Sequence, residues 1–181
     1  MVTEYVVLLD EDGSPIGQAP KAEVHHGSTP LHLAFSCYAF GPDGQLLVTR
    51  RALTKLTFPG VWTNTCCGHP MPGEPVEAAV RRRLRDELGV EATDLVCALP
   101  HFRYQAEMNG IEENEICPAY LCRITGQPRP KPDEVVEARW MPWDDYVADA
   151  MRRGTELSPW TVAQVEELRE GGLVERFLRL G

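Results

Sequence analysis

Two rhythms of apolar and polar positions run along this chain. The first consists of short runs rich in Val, Leu, Ile, Phe and Tyr, bounded by Gly, Pro and Asp, which is a strand pattern. Glu4 to Leu9 reads as a buried strand. Asp10-Glu11-Asp12-Gly13 turns the chain, and Ile16-Gly17 returns as a short partner. Lys21 to His26 is polar, a loop or a single helical turn. Leu31 to Phe40 predicts a strand and Gln45 to Arg51 its return. Between them, in Gly41-Pro42-Asp43-Gly44, Pro presets φ and Gly permits positive φ. Arg51 to Pro59 is irregular and basic.

A period of about four residues takes over after Glu74. Pro75 sits in the first turn, where its missing N–H costs nothing. Val76, Val80, Leu84 and Leu88 form the buried stripe, and Gly89 is the C-cap. The strand rhythm then resumes. Asp94 to Tyr104 predicts a strand, Gln105 to Ile111 a polar loop, Glu113 to Arg123 a strand with an acidic start, and Val135 to Met141 a last strand. Gln127 to Asp133, with three prolines, is a loop. Asp144 to Arg153, Pro159 to Glu170 and Leu173 to Leu180 predict helices. No repeat or interdomain linker interrupts the chain. The expectation is one domain, 1–181, of α+β class: mixed β-sheets sandwiched by helices, with a C-terminal helical segment.

Composition narrows the function classes. With 181 residues the chain is long enough for a sizeable core, and 43% hydrophobic and 25% charged residues fit a soluble globular protein. The charge of 18 − 27 = −9 argues against nucleic acid and anionic membranes as partners. An anionic small substrate would need a local cluster of Lys and Arg. No apolar run approaches the ~20 residues of a spanning helix, so no membrane insertion is expected. Met1 to Tyr5 has no basic region followed by an apolar one. Six cysteines without a secretory signal read as reduced thiols in the cytoplasm.

The reactive groups concentrate between Thr63 and Val90. Cys66 and Cys67 are adjacent, followed by Gly68, His69 and Pro70. A nearby metal or basic group would lower the Cys67 thiol pKa. Cys37, Cys97 and Cys122, among apolar strand residues, read as small buried groups. Glu113 and Glu115, two apart on a strand, share one face. They read either as a solvated edge or as part of a cation site. His25, His32 and His69 could complete such a site for Mn2+, Mg2+ or Zn2+, although none has zinc-finger spacing to another. Lys21, Arg51, Lys55 and Arg83 read singly as surface charges and together as an anion cluster. Arg83 and Glu87 also have the spacing of a helical ion pair.

Gly68, Glu74 and Arg82-Arg83-Leu84-Arg85-Asp86-Glu87-Leu88-Gly89-Val90 are similar to a degenerate Nudix box. Arg83 stands where the box has Glu, and Asp86 where it has the first Glu of a pair. The chain more closely resembles the type I isopentenyl-diphosphate δ-isomerase family. The matching pieces include Leu31-His32-Leu33-Ala34-Phe35-Ser36, Pro59-Gly60-Val61-Trp62-Thr63-Asn64, Cys67-Gly68-His69-Pro70, Glu113-Asn114-Glu115 and Ser158-Pro159-Trp160. They run in order over essentially the whole chain.

That resemblance implies reversible conversion of isopentenyl diphosphate to dimethylallyl diphosphate. It implies His25, His32, His69, Glu113 and Glu115 around one divalent metal, Mn2+, Zn2+ or Mg2+, and Glu87 at a substrate-bridging Mg2+. Cys67 belongs to both the metal-site set and the catalytic set. Lys21, Arg51, Lys55 and Arg83 are the implied diphosphate contacts. Cys67 and Glu115 are the proton-transfer pair, with Glu115 and Tyr104 on the donor side, Cys67 as base and Trp160 facing the carbocation-like centre. A monomer or homodimer is expected. The rival readings are a Nudix hydrolase and a catalytically silent binding module.

Overall fold

A computed structural model describes residues 4–180. Residues 1–3 and 181 of the expected domain, including the first residues read for a leader, lie outside the described residues. The elements in chain order are β1 (Tyr5–Leu9), β2 (Pro15–Pro20), α1 (Lys21–Val24), β3 (His32–Leu33), β4 (Phe35–Phe40) and β5 (Leu46–Arg51). Next come β6 (Trp62–Thr63), β7 (Cys66–Gly68), α2 (Val76–Leu88), β8 (Glu91–Leu99), β9 (Arg103–Met108) and β10 (Ile111–Ile116). The chain closes with β11 (Ala119–Thr125), β12 (Val135–Met141), α3 (Trp143–Met151), α4 (Pro159–Glu170) and α5 (Leu173–Arg179).

Two mixed sheets result. One has the order β2-β1-β3-β10-β9 and the other β12-β5-β4-β11-β8, with β6 on β5 and β7 on β4. Each contains one parallel pair, β3 with β10 and β4 with β11. Strand β4 is buried on both faces, as a strand in the middle layer of a sandwich must be. Phe35, Cys37 and Ala39 pack with Val80, Leu84 and Leu88 of α2. Tyr38 and Phe40 pack with Trp143, Tyr146, Trp160, Leu168 and Phe177 of α3, α4 and α5. The expected α+β sandwich is therefore present. Among the described residues no helix is long and apolar enough to cross a membrane.

The sequence rhythm failed where one apolar run serves two sheets. The run from Leu31 to Phe40 divides at Ala34, Asp94 to Tyr104 at Pro100, and Glu113 to Arg123 at Pro118. Proline cannot donate to a ladder, so strands end there. The crossings at Pro100 and Pro118 are tied together by Cys117 N–H donating to Phe102 O at 2.8 Å. The polar stretch Gln105 to Ile111 is no loop: β9 and β10 form a hairpin, with Asn109 and Gly110 at positive φ in its turn. Helix α2 starts at Val76, with Pro75 as its N-cap, and Gly89 closes it at φ 64° as expected. The short strands β6 and β7 carry no alternation long enough to be read. Because the crossing strands diverge, a cleft opens between the sheets.

Candidate functional site

Strand register brings the first set of groups together. Glu115 pairs with His32 of β3 on one side and with Tyr104 of β9 on the other, so three strands present these side chains abreast. Glu113 projects on the same face two residues earlier. From the second sheet, β5 supplies Arg51 and β7 supplies Cys67, with His69 just beyond it. Helix α2 contributes Arg83, and α4 contributes Trp160. Gly68 makes room here, since a Cβ would lie 3.0 Å from both Arg83 Cγ and the Phe35 ring, tighter than ordinary contact. These residues other than His32 and Phe35 border a cavity of about 480 Å³, together with Lys21, His25 and Lys55, and His32 lies buried behind it.

One end of the cavity is a donor cluster. His25, His32, His69 and Glu115 each offer an atom within 4.8 Å of all the others. His32 Nδ1 faces Pro30 O at 2.9 Å, which fixes its proton there. His32 Nε2 faces His69 Nε2 at 3.2 Å and Glu115 Oε1 at 3.3 Å. Burial lowers the His32 imidazole, but the Glu115 carboxylate outweighs it and raises the group above its ordinary value. His25 Nε2 and His69 Nδ1 are buried without a protein partner. Burial pushes His25 down to about 4 and His69 to about 3, so both are neutral imidazoles, the form that binds metal. Three imidazoles and a carboxylate, with one orphaned nitrogen on each of His25 and His69, fit a divalent transition metal. Glu113 lies outside this four-residue set; its Oε2 is 2.7 Å from the Tyr104 hydroxyl and Glu115 Oε2 is 2.8 Å from it, so the two carboxylates share the one phenol proton. Burial and the Glu115 charge raise the Glu113 carboxyl. For Glu115, burial is outweighed by His32 and His69, which hold it well below the usual range.

The Cys67 sulfur lies 3.1 Å from Asn64 Oδ1 and 3.6 Å from Ser36 Oγ. Burial pushes its thiol up to about 11, against the lowering effects of Ser36, Arg51 and Asn64. The expected depression is therefore absent from the protein groups alone. Trp160 is buried, stacks near Tyr104 at 5.5 Å, and has Arg51 Cζ 5.6 Å from its ring centre.

The cations line the same cavity, each held by a protein acceptor. Lys21 donates to Glu4 at 2.7 Å, Lys55 pairs with Glu134, and Arg51 donates to Thr57 O at 2.8 Å and Phe58 O at 3.1 Å. Arg83 is buried, donating to Glu87 Oε1 at 2.7 Å with Glu134 Oε2 at 3.3 Å. The expected Arg83–Glu87 pair is thus present inside the protein rather than on its surface. Glu87 faces a small adjoining cavity with Lys55, Cys67 and Glu134.

Sequence reasoning missed Glu134, Glu4, Ser36 and the role of Asn64. Glu134 sits beside a proline-rich loop, where a carboxylate reads as solvated. Asn64 left one signal, a polar side chain at the edge of the Cys66-Cys67 run. Of the thiols read as buried, Cys37 and Cys122 are, whereas Cys97 is only partly so.

A NUDIX domain model matches residues 30–161. Over 174 residues the chain is 56% identical to the isopentenyl-diphosphate Delta-isomerase of Mycolicibacterium vanbaalenii, covering 96% of each. It is 47% identical over 178 residues to that of Salmonella arizonae, covering 98% of each. A crystal structure from Deinococcus radiodurans shares the fold, with TM-score 0.69, 20% identity and coverage of 91% of this chain and 98% of the other. A MutT protein from Methanosarcina mazei does so at TM-score 0.62 and 16% identity, covering 80% and 96%.

Proposed function

We infer function from the premise that this chain belongs to the isopentenyl-diphosphate Delta-isomerase family, built on a NUDIX domain. It is an isomerase, interconverting isopentenyl and dimethylallyl diphosphate by a 1,3-allylic shift in isoprenoid biosynthesis. One observation supports the residue roles. One cavity is lined both by the proton-transfer and aromatic groups Cys67, Tyr104, Glu115 and Trp160 and by the cations Lys21, Arg51, Lys55 and Arg83. We read the whole chain, 1–181, as one catalytic domain around it.

The diphosphate end is held by Lys21, Arg51, Lys55 and Arg83, once each exchanges a protein acceptor for a phosphate oxygen. The five-carbon end then lies among Cys67, Tyr104, Glu115 and Trp160. The alkene must gain a proton at its terminal carbon and lose one at C2. Two groups, Cys67 and Glu115, do this without one group relocating. Tyr104 orients the Glu115 carboxyl through its hydroxyl. The reverse reaction exchanges donor and acceptor roles. The tertiary cation-like centre is stabilised by the Trp160 face, worth about 2 kcal/mol in a desolvated site. Burial of Trp160 also keeps water from capturing that centre.

His25, His32, His69 and Glu115, with Glu113 beside them, would hold a divalent metal, Mn2+, Zn2+ or Mg2+. Glu87 would help to hold Mg2+ near the diphosphate, next to Cys67. These ions would supply positive charge that orients the carboxylates and neutralises phosphate oxygens. The six free thiols suit a reducing compartment, the cytoplasm.

The test is incubation of the purified protein with isopentenyl diphosphate and Mg2+, measuring acid-labile allylic product. Product without phosphate release is expected. Phosphate release in its place would return the chain to the hydrolases.

A further inference from the structure

Asn64 is fully buried between β6 and β7, and both ends of its amide are occupied. Its Nδ2 donates to Cys37 O at 2.9 Å and to Cys66 O at 2.8 Å. Backbone carbonyls only accept, so these two bonds fix which end of the amide is nitrogen. The oxygen is therefore turned towards the pocket. There Oδ1 accepts from the Cys67 thiol at 3.1 Å, the Trp160 indole N–H at 3.2 Å and the Thr63 hydroxyl at 2.8 Å. An indole nitrogen is a donor only and needs such an acceptor when buried. Two rings flank Trp160, Phe58 edge-on at 5.1 Å and Tyr104 tilted at 5.5 Å.

We propose that Asn64 is a positioning residue for the isomerisation, its side-chain oxygen holding the Cys67 thiol and the Trp160 indole at a fixed separation. The inference rests on the roles given above to Cys67 and Trp160. One oxygen ties the group that handles a proton to the ring that faces the developing cation. The thiol proton is aimed along the Asn64 direction, while Ser36 Oγ, 3.6 Å away, lies near the same sulfur. The two ends of the amide thus have separate tasks. Nitrogen joins β7 to β4, and oxygen sets the geometry of two side chains. Lys21, Arg51, Lys55 and Arg83 donate their hydrogen bonds to groups other than Asn64, so substitution of Asn64 should perturb the chemistry more than diphosphate binding.

The metal-loaded protein and its Asn64→Leu variant decide the matter. The expected result is kcat lower by about tenfold or more with KM within about twofold of wild type. A role confined to joining strands would move KM along with kcat, and that outcome, or an unchanged kcat, overturns the proposal. A second measurement is read on the wild-type protein and does not depend on the Asn64 variant. In 15N-labelled wild-type protein, the Trp160 indole N–H, assigned by its loss in Trp160→Phe, is expected to be protected from solvent exchange. A rapidly exchanging Trp160 indole overturns the contact. If wild-type protein does not isomerise isopentenyl diphosphate at all, the functional reading fails, while the indole measurement still decides the geometry.

Discussion

His32 Nε2 and His69 Nε2 face each other 3.2 Å apart, with Glu115 Oε1 within 3.3 Å of both. His32 keeps its proton on Nδ1, against Pro30 O. The orphaned nitrogens of His25 and His69, gathered beside His32 and Glu115, call for a cation. An ion that binds only the folded state contributes about 2.7 kcal/mol at one hundred times its Kd. A chelator is therefore expected to lower the melting temperature, and Mn2+ or Zn2+ to restore it. His32→Ala is expected to abolish the metal-dependent part. A wild-type melting temperature indifferent to chelator and metal would sink the assignment.

Cys67 contacts no cation that binds diphosphate in a hydrogen bond; its partners are Asn64 and Ser36. Binding and chemistry are accordingly separable at this residue. Cys67→Ala is expected to lower turnover by about 10²–10⁴-fold, the range of a lost acid–base group. Pyrophosphate affinity, measured by calorimetry with Mg2+ present, is expected to stay near the wild-type value. Near-normal turnover in this variant would remove Cys67 from the mechanism.

The fold was legible wherever one run of residues served one element. The four-residue rhythm of Val76, Val80, Leu84 and Leu88 located α2 to within a residue, because a helix pays out its burial locally. It failed at Ala34, Pro100 and Pro118, where a continuous apolar run crosses between sheets and only long-range pairing marks the break. Residues such as Cys67, Glu115 and the three histidines were legible through resemblance. Spacing alone did not converge them, since β3, β7 and β10 meet only after folding. Glu134 was illegible for a different reason. Its partners Lys55 and Arg83 lie far away in sequence, and nothing local distinguishes it from a solvated carboxylate.

Glu87 has two expected functions that one substitution separates by readout. It neutralises the buried Arg83 and faces the small cavity beside Lys55 and Cys67. Glu87→Gln is expected to raise the Mg2+ concentration for half-maximal activity by about tenfold, typical of a perturbed metal shell. Stability should also fall. Breaking a buried pair costs about 3–5 kcal/mol, and Glu134, 3.3 Å from Arg83, keeps the loss at the lower end. An unchanged Mg2+ titration would count against the ion role. An unchanged denaturant midpoint would count against the structural one.

Glu134 makes the stability of the site depend on pH. Burial raises its carboxyl, but the Lys55 hydrogen bond and the charges of Lys55 and Arg83 outweigh this and hold it below the ordinary value of 4.5. The unfolded chain then takes up this proton more readily than the folded one. The ionised carboxylate therefore favours folding above that ordinary value, and its contribution is lost as the pH falls through the lowered folded value. Glu134→Gln is expected to lower the melting temperature near pH 7, by about 2–4 °C for each kcal/mol lost. The difference from wild type should shrink steadily as the pH is lowered towards about 3. The same substitution frees Lys55 and Arg83 from a competing anion, so pyrophosphate binding without Mg2+ should tighten. A stability difference that grows on acidification, measured by melts across that range, would show that the carboxylate is not held ionised by these cations.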